Sequence, residues 1–163
     1  MIQEIRSVLL RDLRALQASL KAYPNEDLLW VIPIGISNSA GTLALHIAGN
    51  LQYYIGALLG GTGYVRDRTS EFSDRDVPLS VIAHRIDAAI KAVGETFDNM
   101  DDGVLDQVFP VQVGGHELST LVFLTHLISH TAYHLGQIDY HRRLITGINR
   151  PGGPPIAELL DAT

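Results

Sequence analysis

Cysteine is absent from all 163 residues. That excludes disulfides, thiolate metal ligands and a cysteine nucleophile, and it leaves any thiol chemistry to a thiol supplied by a small molecule. Positive charge is scarce as well: 12 Lys and Arg against 18 Asp and Glu give a formal net charge of -6. Nucleic-acid binding needs broad neutralisation of phosphates, and no basic stripe offsets the deficit, so nucleic acid is not an expected partner. No apolar run reaches the length that crosses a bilayer. The opening Met1-Ile-Gln-Glu-Ile-Arg6 lacks the apolar block and small-residue cleavage site of an export signal. No membrane association and a cytoplasmic location are the resulting expectations.

Several catalytic signatures are missing too. His116-Glu117 is followed by threonine rather than histidine at position 120, which rules out the His-Glu-x-x-His metalloprotease helix. There is no Gly-x-Ser-x-Gly elbow, no phosphate-binding Gly-Lys-Ser/Thr loop and no dinucleotide fingerprint. Gly60-Gly-Thr-Gly63 holds only overlapping Gly-x-Gly pairs of little specificity.

What is present fits one compact domain over residues 1–163: 46% of residues are hydrophobic and 18% charged. Ile2, Ile5, Leu9, Leu13, Leu16 and Leu20 recur at spacings of three and four, with Arg6, Arg11, Asp12 and Arg14 between them. This pattern predicts an amphipathic first helix ending before Pro24. Ser37-Asn-Ser39 supplies N-cap side chains for a second helix from about Thr42 to Leu59, ended by Gly60-Gly61. Gly63 to Asp76 is polar and charge-rich and reads as a solvated connection. Pro78 suits the first turn of a third helix, whose stripe is Leu79, Ile82, Ile86, Ile90, Val93 and Phe97, closed by Asp101-Asp-Gly103. Val108 to Val113, followed by Gly114-Gly115, is a candidate small hairpin. The fourth helix runs from Ser119 or Thr120 to Thr146, with Gly147 as its cap, and Arg150 to Pro155 cannot be helical. The fold class expected is therefore all-α, a four-helix bundle. Its long connections do not guarantee simple up-down-up-down order.

The last helix carries the chemistry. His126, His130 and His134 stand at successive four-residue steps, so they share a face. With seven histidines in the chain, scatter would give roughly 0.3 such pairs; there are two, overlapping. Neutral imidazole is the commonest protein ligand for zinc and similar ions. His130, His134 and Gln137 fall on the helix side that also carries Phe123, Leu127, Ile138 and Ile145, which turns them toward the bundle. The alternative is a set of core histidines satisfied by hydrogen bonds, which is awkward for several in one stripe. His126/His130 and His130/His134 are equivalent by spacing, and the outer two lie about 12 Å apart along the axis, too far for one ion to take all three readily. His141, two turns on, reads as a surface or second-site residue. The best third ligand is His46, on the buried side of the second helix, whose bland alternative is a core histidine beside Tyr53 or Tyr54. His84 reads as exposed or at a boundary, and His116 as part of a turn.

Thr42-Leu-Ala-Leu-His46-Ile47 together with Ser129-His-Thr-Ala-Tyr-His134-Leu-Gly-Gln-Ile138 resembles the DinB/YfiT-like family of metalloenzymes over most of the chain. The resemblance implies that His46, His130 and His134 are the metal ligands. It further implies a four-helix bundle, often a homodimer, that holds nickel, zinc or another divalent ion with open coordination positions. Relatives include transferases and isomerases dependent on low-molecular-weight thiols such as mycothiol or bacillithiol. Three imidazoles also suit iron, manganese or copper.

The activity expected on this basis is metal-dependent: the ion activates water or a low-molecular-weight thiol for hydrolysis, thiol transfer or isomerisation of a small-molecule substrate. No side chain is assigned as the catalytic group. Asn50, one turn beyond His46, and Tyr53 are candidate pocket residues, and Gln137 is a candidate for orienting a ligand histidine. Asp139 points away from the histidine stripe and Glu117 precedes the helix, so neither is placed as general base. The rival expectation is a non-catalytic, stress-related bundle that stores, senses or is stabilised by the ion, or binds a small ligand between its helices.

Overall fold

The computed structural model describes residues 1–149. Its five α-helices are α1 (Ile2–Lys21), α2 (Ala40–Leu51), α3 (Arg68–Ser73), α4 (Leu79–Asp98) and α5 (Thr120–Thr146), with short 3-10 turns at Glu26–Trp30 and Asp102–Asp106. Four of them form the bundle. α1 packs on α4 and α5, and α2 packs on the same two helices from the other side. Around the bundle the order is therefore α1, α4, α2, α5, so α1 and α2 lie diagonally, as do α4 and α5, and the connections within these two pairs must be long, while α2 and α4 are neighbours.

The long helices begin and end where their sequence dictates. Ser119 accepts a hydrogen bond from the Val122 amide at the start of α5, and Gly147 closes that helix at φ 69°. Pro78 precedes α4, and Asn25 and Asp101 cap the two 3-10 turns. The core is built from the expected stripes, Leu9, Leu13 and Leu16 of α1, Ile82, Ile86, Val93 and Phe97 of α4, and Phe123, Leu127 and Ile138 of α5, together with Ile47 and Leu51 of α2. Each such side chain contributes about 1.5–3 kcal/mol by leaving water.

The second helix differs from its expected form. It starts at Ala40, and after Leu51 it widens into a π-turn at Gln52–Ala57, in which the Leu58 amide donates to the Tyr53 carbonyl and the Gly60 amide to the Ile55 carbonyl. Gly56 lies close against Ala92 of α4, and that approach is available because the residue has no Cβ. α2 is also buried on every side rather than along one stripe. Its outer face is covered by α3, which occupies the stretch expected to be a solvated connection. The stretch is largely exposed, as expected, but it forms a helix and buries Glu71, 4% exposed, against α2.

The hairpin is reduced to two isolated bridges, Val108 with Ser119 and Val113 with His116, with Gly114 and Gly115 at its tip, and no strand forms among the described residues. Pro110 has no amide hydrogen to extend the ladder. His141, expected at the surface, is buried: its Nε2–H donates to the Val31 carbonyl at 2.8 Å, leaving Nδ1 to accept from the Tyr23 hydroxyl at 2.7 Å. The expectation that Arg150 to Pro155 is non-helical falls outside the described residues. No helix among those described is long and apolar enough to cross a membrane.

Asp12, grouped with the polar side of α1 by sequence, is 1% exposed; Arg11 donates to its Oδ1, and Oδ2 has no partner. Burial pushes its carboxyl above the usual range, against the opposing hydrogen bond from Arg11. A carboxyl raised by folding adds stability below its unfolded pKa and loses that contribution as pH rises through the folded value. Asp12→Asn is therefore expected to raise the urea midpoint at pH 7, with the gain shrinking toward pH 4. A variant that is less stable than wild type at pH 7 would contradict this.

Candidate metal centre

Two helices bring three imidazoles together. The Ser39 hydroxyl accepts from the Thr42 amide and sets the start of α2, which places His46 midway along that helix. His130 and His134 sit one turn apart near the middle of α5. The His130 Nε2 lies 3.2 Å from the His46 Nε2 and 3.1 Å from the His134 Nε2. One ligand atom from each residue lies within 4.8 Å of the others. The His46 ring is nearly perpendicular to the other two, at 82° and 88°, and those two cross at 86°, so the rings converge edge-on rather than stack.

The outward-facing nitrogens decide what the inward-facing ones can do. His46 Nδ1 lies 3.0 Å from Glu71 Oε2. An ionised carboxylate only accepts, so Nδ1 carries the hydrogen and donates it. Arg66 donates to both Glu71 oxygens at 2.7 Å; its Nη2 lies 3.3 Å from His46 Nδ1 because both groups share Oε2. On α5, His134 Nδ1–H donates to Gln137 Oε1 at 2.7 Å. In the neutral rings of His46 and His134 the Nε2 atoms are thereby left as bare lone pairs, both facing His130.

His130 and His134 are pushed toward their neutral forms. Burial, reinforced by the neighbouring His134 and His46, pulls the His130 pKa down to about 4. Burial also lowers that of His134, against the hydrogen bond to Gln137. For Glu71 burial acts to raise the carboxyl, but hydrogen bonds from Arg66 and His46 outweigh it and hold the group below its usual range.

A single N–H on His130 Nε2 can satisfy only one of the two lone pairs it meets, so neutral histidines alone leave the other lone pair without a donor. A divalent cation resolves all three at once. Nitrogens bound tetrahedrally at about 2.0–2.1 Å from one zinc ion stand about 3.3 Å apart, and the 3.1 and 3.2 Å separations are close to that. The donor set therefore fits a three-imidazole metal site.

The structure separates the remaining candidates. His126, one turn before His130 on the same face, is exposed and stacks on Phe123 and His130, outside the cluster. His84 and His116 are exposed. Asn50 is 7% exposed and its Oδ1 has no partner. Tyr53 is half-buried and packs on Tyr54, and the ring against His46 is Phe72, at 4.8 Å between centroids.

Glu71, Arg66 and Phe72 escaped sequence reading because they lie in the charge-rich stretch after Gly63. One signal was available. Asp67 stands three residues before Ser70, and its carboxylate accepts from the Ser70 amide and hydroxyl, a capping arrangement that announces a helix.

Among the comparisons with known proteins, the family model described as the DinB superfamily matches residues 9–138, a span that holds all three histidines and Glu71. No curated protein and no solved structure gives a significant match.

Protein dialysed against zinc or nickel is expected to retain one ion per chain. His130→Ala should retain none, and His126→Ala should retain one. Equal metal content in wild type and His130→Ala, measured by elemental analysis, would contradict the site.

Proposed function

The chain belongs to the DinB superfamily, and from that premise we propose that it is an enzyme acting on a small molecule through a divalent ion held by His46, His130 and His134. The observation that carries this reading is the convergence of three Nε2 atoms, two of them with tautomers set by Glu71 and Gln137. Zinc and nickel are the ions this donor set suits first, with iron, manganese and copper also compatible.

An ion on three neutral imidazoles keeps its full charge and supplies Lewis-acid chemistry, lowering the pKa of a water or thiol that reaches it. The chain's own residues restrict how that chemistry runs. Glu71 is engaged by Arg66 and His46, so it is not a free general base. Asp139 is tied to Arg142 and Arg143. Without cysteine, a thiol nucleophile must come from a low-molecular-weight cosubstrate.

Asn50 lies one turn from His46 with a buried side-chain oxygen that has no partner, which marks it as a candidate polar group beside the ion. Gln137 orients His134 and also lines a cavity of about 510 Å³ with Leu43, Tyr140 and Leu144, a space suited to an apolar part of the substrate. The homodimer that this reading includes rests on the family resemblance.

Turnover should separate the two nucleophiles. Metal-loaded protein is to be assayed with a low-molecular-weight thiol plus a chromogenic electrophile, and separately with simple esters and amides. Thiol-dependent turnover that a chelator abolishes and re-added metal restores is expected. Turnover indifferent to chelation would refute a metal-dependent enzyme. Metal that raises the melting temperature while no substrate is turned over would assign the ion a storage, sensing or structural role instead.

A further inference from the structure

We infer that Glu71 is a positioning residue for the metal centre: borne on a docked short helix and clamped by Arg66, it fixes the His46 tautomer so that Nε2 faces the ion. The inference deepens the metal reading above and rests on it for its consequence, though not for the tautomer itself.

Four observations converge on this role. First, Glu71 and His46 are both buried, 4% and 6% exposed, so the hydrogen bond between them is shielded from competing water. Second, Arg66 grips the carboxylate through two nitrogens at 2.7 Å, which keeps it ionised and acceptor-only and limits its rotation. Third, Gly49 sits on α2 three residues beyond His46, and a Cβ there would overlap the Glu71 carboxylate. The missing side chain is therefore what admits the carboxylate to the helix surface. Fourth, Phe72, the next residue of α3, packs its ring on His46, so the helix that brings the acceptor also fixes the ring plane.

Glycine in a helix interior is destabilising relative to alanine, and a buried ion pair is a weak source of stability compared with packed apolar residues. Both features are accounted for by the imidazole they hold. The opposite tautomer, with hydrogen on Nε2, would set a carboxylate against the bare Nδ1 lone pair and point an N–H at the position an ion must occupy. Glu71 excludes that state. Gln137 does the corresponding task for His134 from a more exposed position, so the two outer rings enter the centre preset.

The test uses the full-length chain. Long-range proton–nitrogen NMR of metal-free protein at pH 7 reads the tautomer of each imidazole, and zinc titration against a competing chelator reads affinity. Wild type should show His46 protonated on Nδ1. Glu71→Gln keeps the volume but can turn an amide N–H toward His46; Glu71→Asp keeps the charge but withdraws it by one methylene. Each should lose the fixed tautomer and weaken zinc binding roughly 10–100-fold, the range typical of groups that orient metal ligands. Glu117→Gln, at an exposed carboxylate before α5, should change neither.

If one Glu71 variant fails to fold by circular dichroism, the other carries the test. An unchanged His46 tautomer in a folded Glu71 variant overturns the inference, as does an altered tautomer with unchanged zinc affinity. A changed tautomer in a protein that binds no zinc even as wild type upholds the positioning by Glu71 and refutes the metal reading alone.

Discussion

The Nε2 atoms of His46 and His134, each held about one hydrogen-bond length from that of His130, form the constraint on which the rest of this molecule turns. Lone pairs facing each other in a half-buried setting repel, and low effective dielectric makes the repulsion costly. Neutral rings alone satisfy one of the two lone pairs that face His130, whereas a positive charge between the nitrogens satisfies them all. Protons are a poor source of that charge here, because burial and the neighbouring rings hold His130 neutral well below physiological pH. A divalent ion relieves the repulsion and uses all three lone pairs.

Much of the architecture follows from presenting those nitrogens. α2 and α5 are in direct contact because α1 and α2 lie diagonally, with α4 and α5 between them. α2 is buried on all faces because it is enclosed by α4, α5 and α3 together. The buried pair Arg66 and Glu71 is costly to desolvate, and breaking one partner of such a pair typically costs about 3–5 kcal/mol. Its placement against His46 links the small third helix to the centre, so docking of that helix and the geometry of the imidazole are one structural event.

The parts legible in the sequence were those governed by local rules. The three- and four-residue periodicity of α1, α4 and α5 located them, and Pro78, Ser119 and Gly147 marked ends that the structure reproduces closely. His130 and His134 could be paired because one helix face suffices to do so, and His46 stood out as third ligand from its place on the buried side of the second helix, whereas the choice of that pair over His126 with His130 came from resemblance to a family. Local rules failed where tertiary contact decides. Glu71 reads as solvated because a charged residue in a polar stretch normally is; only the bare helix surface at Gly49 and the guanidinium of Arg66 make its burial tolerable. Asp12 and His141 were misplaced for the same reason, since the partners of His141, Tyr23 and Val31, lie more than a hundred residues away in sequence. The π-turn after Leu51 has no sequence period of its own, and the hairpin was over-read from two Val-rich halves flanking Pro110.

Zinc-edge X-ray absorption of the metal-loaded protein tests the shared centre most directly. Three imidazole nitrogens at about 2.0–2.1 Å, with the multiple-scattering pattern of histidine rings and lighter donors completing the shell, are the expected result. A shell with one histidine or none, or one dominated by carboxylate oxygen, would contradict a single ion held between the second and last helices.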